Sequence, residues 1–217
     1  MKPGWLAALF VWSGLLCTAA SADWLAGERW SDPGSTAGWT VYPDPGTTLS
    51  QDAGNLVWTF DPVVGMGYLV ADSGSSGGAL VGDIAAMRAD YYSFDFYTDP
   101  GVAVNQLYVY LDSPSSVWYY ALAPPAAGQW THYELMLDTL PGHAIHQLGS
   151  ETLDESLAHV LTVMLEVGTP GGGASGRLDN FGVERTPEPA TVALFACGLG
   201  AALLRRARRK SAPRQPR

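Results

Sequence analysis

Four histidines, His132, His143, His146 and His159, are the first residues to examine for chemistry. His143 and His146 sit in LPGHAIHQ, a loop led by proline and glycine. Their spacing is not that of a helical zinc pair, which places two histidines four apart on one helix face with a glutamate between them. They read as surface loop histidines. Gly74-Ser75-Ser76-Gly77 lies in the polar stretch SGSSGG, read as a loop and not as the strained turn that presents a nucleophilic serine. Twenty carboxylates lie between Asp23 and Glu184, too many for the sequence to select a glycosidase pair. The only cysteines, Cys17 and Cys197, fall in apolar terminal segments, so the body of the chain has no thiolate, disulfide or cysteine zinc site. No catalytic residue is assigned, and the expectation is a protein that is not an enzyme.

Binding chemistry is better represented. Tyr108 and Tyr110 lie on one strand, and Trp118 and Tyr120 lie on the strand that follows it. Sharing one sheet face, these rings would stack on the apolar faces of sugars, with carboxylates nearby for hydroxyl groups. The alternative is that the same rings pack between two sheets. Between Asp23 and Arg185 only four cations, Arg29, Arg88, Arg177 and Arg185, face the twenty carboxylates, a formal charge of −16. Such a field repels phosphate backbones and excludes nucleic acid as a partner.

The elements that must position these rings are strands. Gly38–Tyr42, Asn55–Phe60, Met66–Ala71, Tyr91–Tyr97, Gln106–Asp112, Val117–Ala123, Trp130–Leu137, Val160–Val167 and Arg177–Glu184 alternate or run apolar between Gly, Pro and Ser clusters. Leu107, Val109 and Leu111 are expected in the core, and Tyr92, Phe94 and Phe96 on one face of their strand. DPGTT and QDAG read as turns, and SPSS as a hairpin turn ended downstream by Pro124-Pro125. Thr152–His159 is the one good helix, with acids near its N-terminal end. Many short strands predict an all-β sandwich.

The termini carry addresses. Met1–Ala22 has a basic Lys2, an apolar Trp5–Leu16 and the small-residue site Ala20-Ser21-Ala22, so signal peptidase is expected to cut between Ala22 and Asp23. Residues 186–217 hold Pro187-Glu188-Pro189, an uncharged run from Ala190 to Leu204, and a basic tail of Arg205, Arg206, Arg208, Arg209 and Lys210. The prolines keep the first part extended. The run is short for a membrane helix, and the arginines hold its end in the cytoplasm.

In order, spacing and position this segment resembles the PEP-CTERM sorting signal of Gram-negative bacteria. The resemblance implies a single C-terminal transmembrane helix, transient anchoring in the inner membrane, and removal of the tail by an exosortase. It also implies a final place at the cell surface or outside, in species that make extracellular polysaccharide and biofilm. The phrases SGSSGGALVGDIAA, YYSFDFY, GQWTHYELMLD and GRLDNFGV resemble laminin-B-like and carbohydrate-binding-module-like jelly rolls. That likeness implies a jelly-roll β-sandwich ectodomain over residues 23–185. It also implies a structural Ca²⁺ held with the help of Asp179, a residue that could equally cap a turn. The expectation is an exported, non-catalytic surface or matrix protein associated with exopolysaccharide. The alternatives are a secreted glycan-active enzyme and a structural matrix protein with no ligand site.

Overall fold

Twelve strands form two six-stranded sheets in the computed structural model, which describes residues 22–42, 46–61, 65–171 and 173–186. The strands are β1 (Asp23–Glu28), β2 (Thr40–Tyr42), β3 (Thr48–Asp52), β4 (Asn55–Phe60), β5 (Met66–Ala71) and β6 (Tyr91–Thr98). They continue with β7 (Gln106–Asp112), β8 (Ser116–Leu122), β9 (Trp130–Met136), β10 (Ile145–Gly149), β11 (Thr162–Gly168) and β12 (Ala174–Arg185). One short helix, α1 (Leu153–Leu157), precedes β11. The first sheet runs β3-β4-β12-β6-β9, with β1 also paired to β12. The second runs β10-β8-β7-β11-β5-β2. The chain changes sheet at every connection except β3–β4, β7–β8 and β10–β11, the jelly-roll manner of winding a sandwich.

Alternation fills the space between the sheets. Leu56, Trp58 and Phe60 of β4, Tyr92, Phe94 and Phe96 of β6, and Leu178 and Phe181 of β12 meet Leu107, Val109 and Leu111 of β7 and Val163, Leu165 and Val167 of β11. Phe94 stacks on Phe181 at 5.0 Å and 6°, and Trp58 on Phe96 at 5.5 Å and 12°. Burial of these side chains and their ring contacts is what holds the sandwich. Leu178 and Phe181 both point inward although they are three apart, because the register of β12 against β6 shifts between Asp179 and Gly182. Asn180 takes the extra residue with φ 50°, a left-handed conformation asparagine tolerates better than most residues.

Helix α1 is shorter than expected from the sequence but is capped as its residues suggest. Thr152 Oγ1 accepts from Glu155 N at 3.3 Å, and Glu155 Oε2 accepts from Thr152 N at 2.8 Å, a capping box. A buried polar knot ties the helix to the β7–β8 hairpin. Ser156 Oγ donates to Glu151 Oε2 at 3.1 Å and accepts from Trp118 Nε1 at 3.1 Å, while Ser113 Oγ also reaches Glu151.

Three strands lie where the sequence reading saw none. β1 follows the expected signal peptide, β3 takes in Thr48 of DPGTT and Gln51 and Asp52 of QDAG, both read as turns, and β10 contains His146, which therefore lies on a strand and not in a loop. Ser75–Gly78, read as loop, is a 3-10 turn. Among the described residues no helix is long and apolar enough to cross a membrane. The apolar run 190–204, the Pro187-Glu188-Pro189 motif and the basic tail from Arg205 to Lys210 lie outside the described residues.

Candidate functional site: a tyrosine-lined trough

The outer face of the second sheet is built by register. Tyr42, Tyr68, Glu166, Tyr108 and Ala121 stand opposite one another across β2, β5, β11, β7 and β8. The next row is Thr40, Val70, Met164, Tyr110, Tyr119 and Ile145. Side chains two apart on a strand share a face, so both rows point away from the core. The rings meet at 5.7 Å for Tyr108 and Tyr119, 6.0 Å for Tyr110 and Tyr119, 6.2 Å for Tyr108 and Tyr110, and 6.2 Å for Tyr42 and Tyr68. Tyr42, Tyr68 and Tyr110 border an open trough of about 600 Å³ together with Val70, Met164, Asp112, Val117, Gln147 and Leu148, and Tyr108 and Tyr119 continue the aromatic face beside it.

A carboxylate lies in the midst of the tyrosines. Glu166 is only 3% exposed although it faces outward, because the rings close over it. Its Oε2 accepts from Tyr110 OH at 2.9 Å, and its Oε1 is met by Gln106 Nε2. Burial first, then the charge of Glu166 and its hydrogen bonds, raise the phenol pKa of Tyr68 and of Tyr110, so both phenols stay protonated donors. At the edge Asp112 Oδ2 accepts from Thr162 Oγ1 at 3.0 Å, while Oδ1 is buried with no hydrogen-bond partner. Burial raises the Asp112 carboxyl above its ordinary range. Flat rings, phenolic hydroxyls and acceptor oxygens in one shallow concavity can hold a ring that has an apolar face and hydroxyl edges.

Of the four aromatics expected to share this face, the structure brings together two. Trp118 and Tyr120 point into the core, 6% and 3% exposed. They stand opposite Leu111 and Val109, and Tyr120 OH donates to the Met136 carbonyl at 2.9 Å. The ring beside Tyr110 is Tyr119. Sequence reasoning missed Tyr119, together with Tyr42, Tyr68 and Glu166. The signal for Tyr119 was present: the SPSS turn pairs Asp112 with Val117, with Ser113 N donating to the Ser116 carbonyl, and fixes the count.

The other candidates are placed as follows. Asp179 Oδ1 accepts from Asn180 N at 2.7 Å, and Asn180 Nδ2 donates to Asp95 Oδ2 at 2.7 Å. Asp95 Oδ1 lies 2.7 Å from His132 Nδ1. These groups serve one another at the β12 bulge, and no group of three or more His, Cys, Asp or Glu that could hold a metal occurs among the described residues. The set falls short of the oxygen ligands calcium requires. Gly74-Ser75-Ser76-Gly77-Gly78 has the spacing of a nucleophile turn, but Ser76 Oγ accepts from Trp39 Nε1 at 3.1 Å, and the segment is a 3-10 turn with no strand-to-helix corner. His143 pairs with Asp138 in the β9–β10 connection.

No family model matches this chain, and no curated protein matches it. Solved structures do. An agarase is similar at 10% identity with a TM-score of 0.57, over 75% of this chain and 26% of its own. An exo-beta-agarase is similar at 12% identity with a TM-score of 0.57, over 75% of this chain and 25% of its own. A family 11 carbohydrate-binding module from Clostridium thermocellum aligns at 16% identity over 76% of this chain and 96% of its own, with a TM-score of 0.49. The chain spans about a quarter of the length of the two agarases. At these identities the agarases establish the two-sheet fold as a known one, and the fold alone.

Proposed function

We propose that this chain is an exported, non-catalytic glycan-binding protein that uses the trough of the second sheet. The observation that carries the reading is the cluster of Tyr108, Tyr110 and Tyr119, three mutually contacting rings on an outer sheet face beside Tyr68 and the hydrogen-bonded Glu166. An outward face rich in large rings costs solubility unless it meets a ligand, and rings with hydroxyl edges match the two-sided chemistry of sugars. The similarity to parts of agarases and to a carbohydrate-binding module agrees with this use. Glu166 serves as an acceptor that orders Tyr110 and Gln106, with its carboxylate committed to the protein.

The six strands of this sheet contain no lysine or arginine, and their carboxylates are Asp112 and Glu166. The ligand of the trough is therefore a neutral glycan, since an anionic one meets like charge without compensation. Export through the signal peptide Met1–Ala22, passage through the inner membrane and exosortase processing at Pro187-Glu188-Pro189 complete the proposal, supported by the order and composition of those segments. The protein then works in the exopolysaccharide at or beyond the cell surface.

Two experiments test this. Pull-down and calorimetry of the full-length protein on neutral polysaccharides are expected to show binding, and Tyr119→Ala is expected to weaken it about tenfold or more, about 1.4 kcal/mol. The melting temperature should hold, because Tyr119 lies outside the core. Unchanged affinity in Tyr119→Ala and in Tyr110→Ala would sink the trough as the site. Mass spectrometry of the protein from its native cells is expected to show a chain beginning at Asp23 and lacking the arginine tail; a retained tail would remove the sorting proposal.

A further inference from the structure

The opposite sheet carries a second aromatic surface that the trough does not use. Trp130 opens β9, and the ladder places it beside Tyr97 of β6, which stands beside Arg177 of β12. At about 4.8 Å per strand the row is about 10 Å long, the scale of two sugar rings. The Trp130 and Tyr97 rings lie 5.4 Å apart at 40°, and the Arg177 guanidinium carbon sits 5.4 Å from the centre of the Tyr97 ring. Trp130 is 46% exposed, whereas Trp30, Trp39, Trp58 and Trp118 are buried.

Charge distinguishes this row from the trough. Arg177 is one of only four cations in a body with twenty carboxylates, yet it makes no ion pair among the described residues. A guanidinium stacked on a ring keeps its fork of N–H donors in the ring plane, free for an anion. The other stacked guanidinium, Arg29, lies 4.5 Å from the centre of the Trp24 ring; burial holds the Asp179 carboxyl above its ordinary range, and the Arg29 charge opposes that rise. This face also holds Asp95, Asp179, Glu134 and Glu184, of which Asp95 is bonded to His132 at 2.7 Å and Glu184 to Tyr91 and Ser93, so Arg177 is the cation that the row itself presents. The strands of the second sheet have no such cation.

We infer that Trp130, Tyr97 and Arg177 form a second saccharide site, for sugar rings that carry a carboxylate or sulfate. The two rings take the apolar face of the sugar, and the Arg177 fork takes the anion in a bidentate, charge-assisted contact. Because the trough lies on the other sheet, the domain holds two polymers of unlike charge at once, and links them.

The test is a titration of the full-length protein with oligogalacturonate and, in parallel, with a sulfated galactan oligosaccharide, followed by calorimetry and tryptophan emission. Trp130 stands in solvent, so its emission shifts when a ring covers it. Binding of at least one of the two probes, weakened by added salt, is the expected result. Trp130→Ala and Arg177→Gln should each cost about tenfold or more in affinity, while Tyr119→Ala leaves it unchanged. Equal melting temperatures of the variants and the parent serve as the folding control, and Arg177→Lys, which keeps the charge and loses the planar fork, should recover only part of the affinity. Binding of neither probe, affinity untouched by both Trp130→Ala and Arg177→Gln, or an equal loss in Tyr119→Ala would overturn the inference. Those outcomes leave the neutral-glycan reading of the trough standing or falling on its own experiment.

Discussion

At the residue scale, Asp179 was expected either to help hold Ca²⁺ or to cap a turn, and its place beside Asn180 is conformational. Asn180 supplies φ 50° at the bulge, Asp179 accepts from the next backbone N–H, and the Asn180 amide reaches across to Asp95. The bulge returns Phe181 to the core, where it stacks on Phe94. The same scale carries a prediction about pH. Burial first, then Glu184, pushes the Tyr91 phenol up to about 12, and burial pushes Tyr133 up to about 12. Both ionise near 10 when the chain unfolds. Their folded values are raised, so their contribution is complete below pH 10, declines between pH 10 and 12, and is gone above 12. Urea melts across that window should show stability falling as pH rises, and spectrophotometric titration should show tyrosines that ionise only on unfolding. A flat stability profile through the window would contradict the burial of these phenols.

At the scale of elements, legibility followed local pattern. Asn55–Phe60, Met66–Ala71 and Gln106–Asp112 are strands with the bounds expected of them, because each alternates or runs apolar for five or more residues. β3 (TLSQD) and β10 (IHQLG) have too little apolar pattern to announce themselves. They exist because β4 and β8 offer them open edges, which is tertiary context and not propensity. The candidate trough was half legible. The outward facing of Tyr108 and Tyr110 follows from Leu107, Val109 and Leu111, but the partner ring depends on counting through a turn, and Tyr42, Tyr68 and Glu166 arrive from strands distant in sequence. Elements also set the sensitivity to substitution. A Cβ at Gly176 would overlap the Tyr97 carbonyl oxygen and the Trp58 ring, so Gly176→Ala should destabilise by about 1–3 kcal/mol. Ser156→Ala strips Trp118 Nε1 of its acceptor and should cost about 1–3 kcal/mol, loosening α1 from the hairpin. Chemical denaturation measures both; losses near zero would show that the backbone and the polar knot can relax.

At the scale of the whole molecule, the two sheets share one core but present different outer faces. One is ringed with tyrosine around a buried carboxylate, and the other sets tryptophan and arginine on either side of a tyrosine. No stretch of sequence announces that division, since each sheet draws strands from the whole length of the chain, with β4 beside β12 and β5 beside β11. The chain leaves the sandwich from β12, which is hydrogen-bonded to β4 on one side and to β6 on the other. That placement decides how the body answers mechanical tension. A tug on Arg185 along the strand axis loads the hydrogen bonds to both neighbours in parallel, so they resist together instead of peeling one by one. Single-molecule stretching from that end should give one high-force rupture.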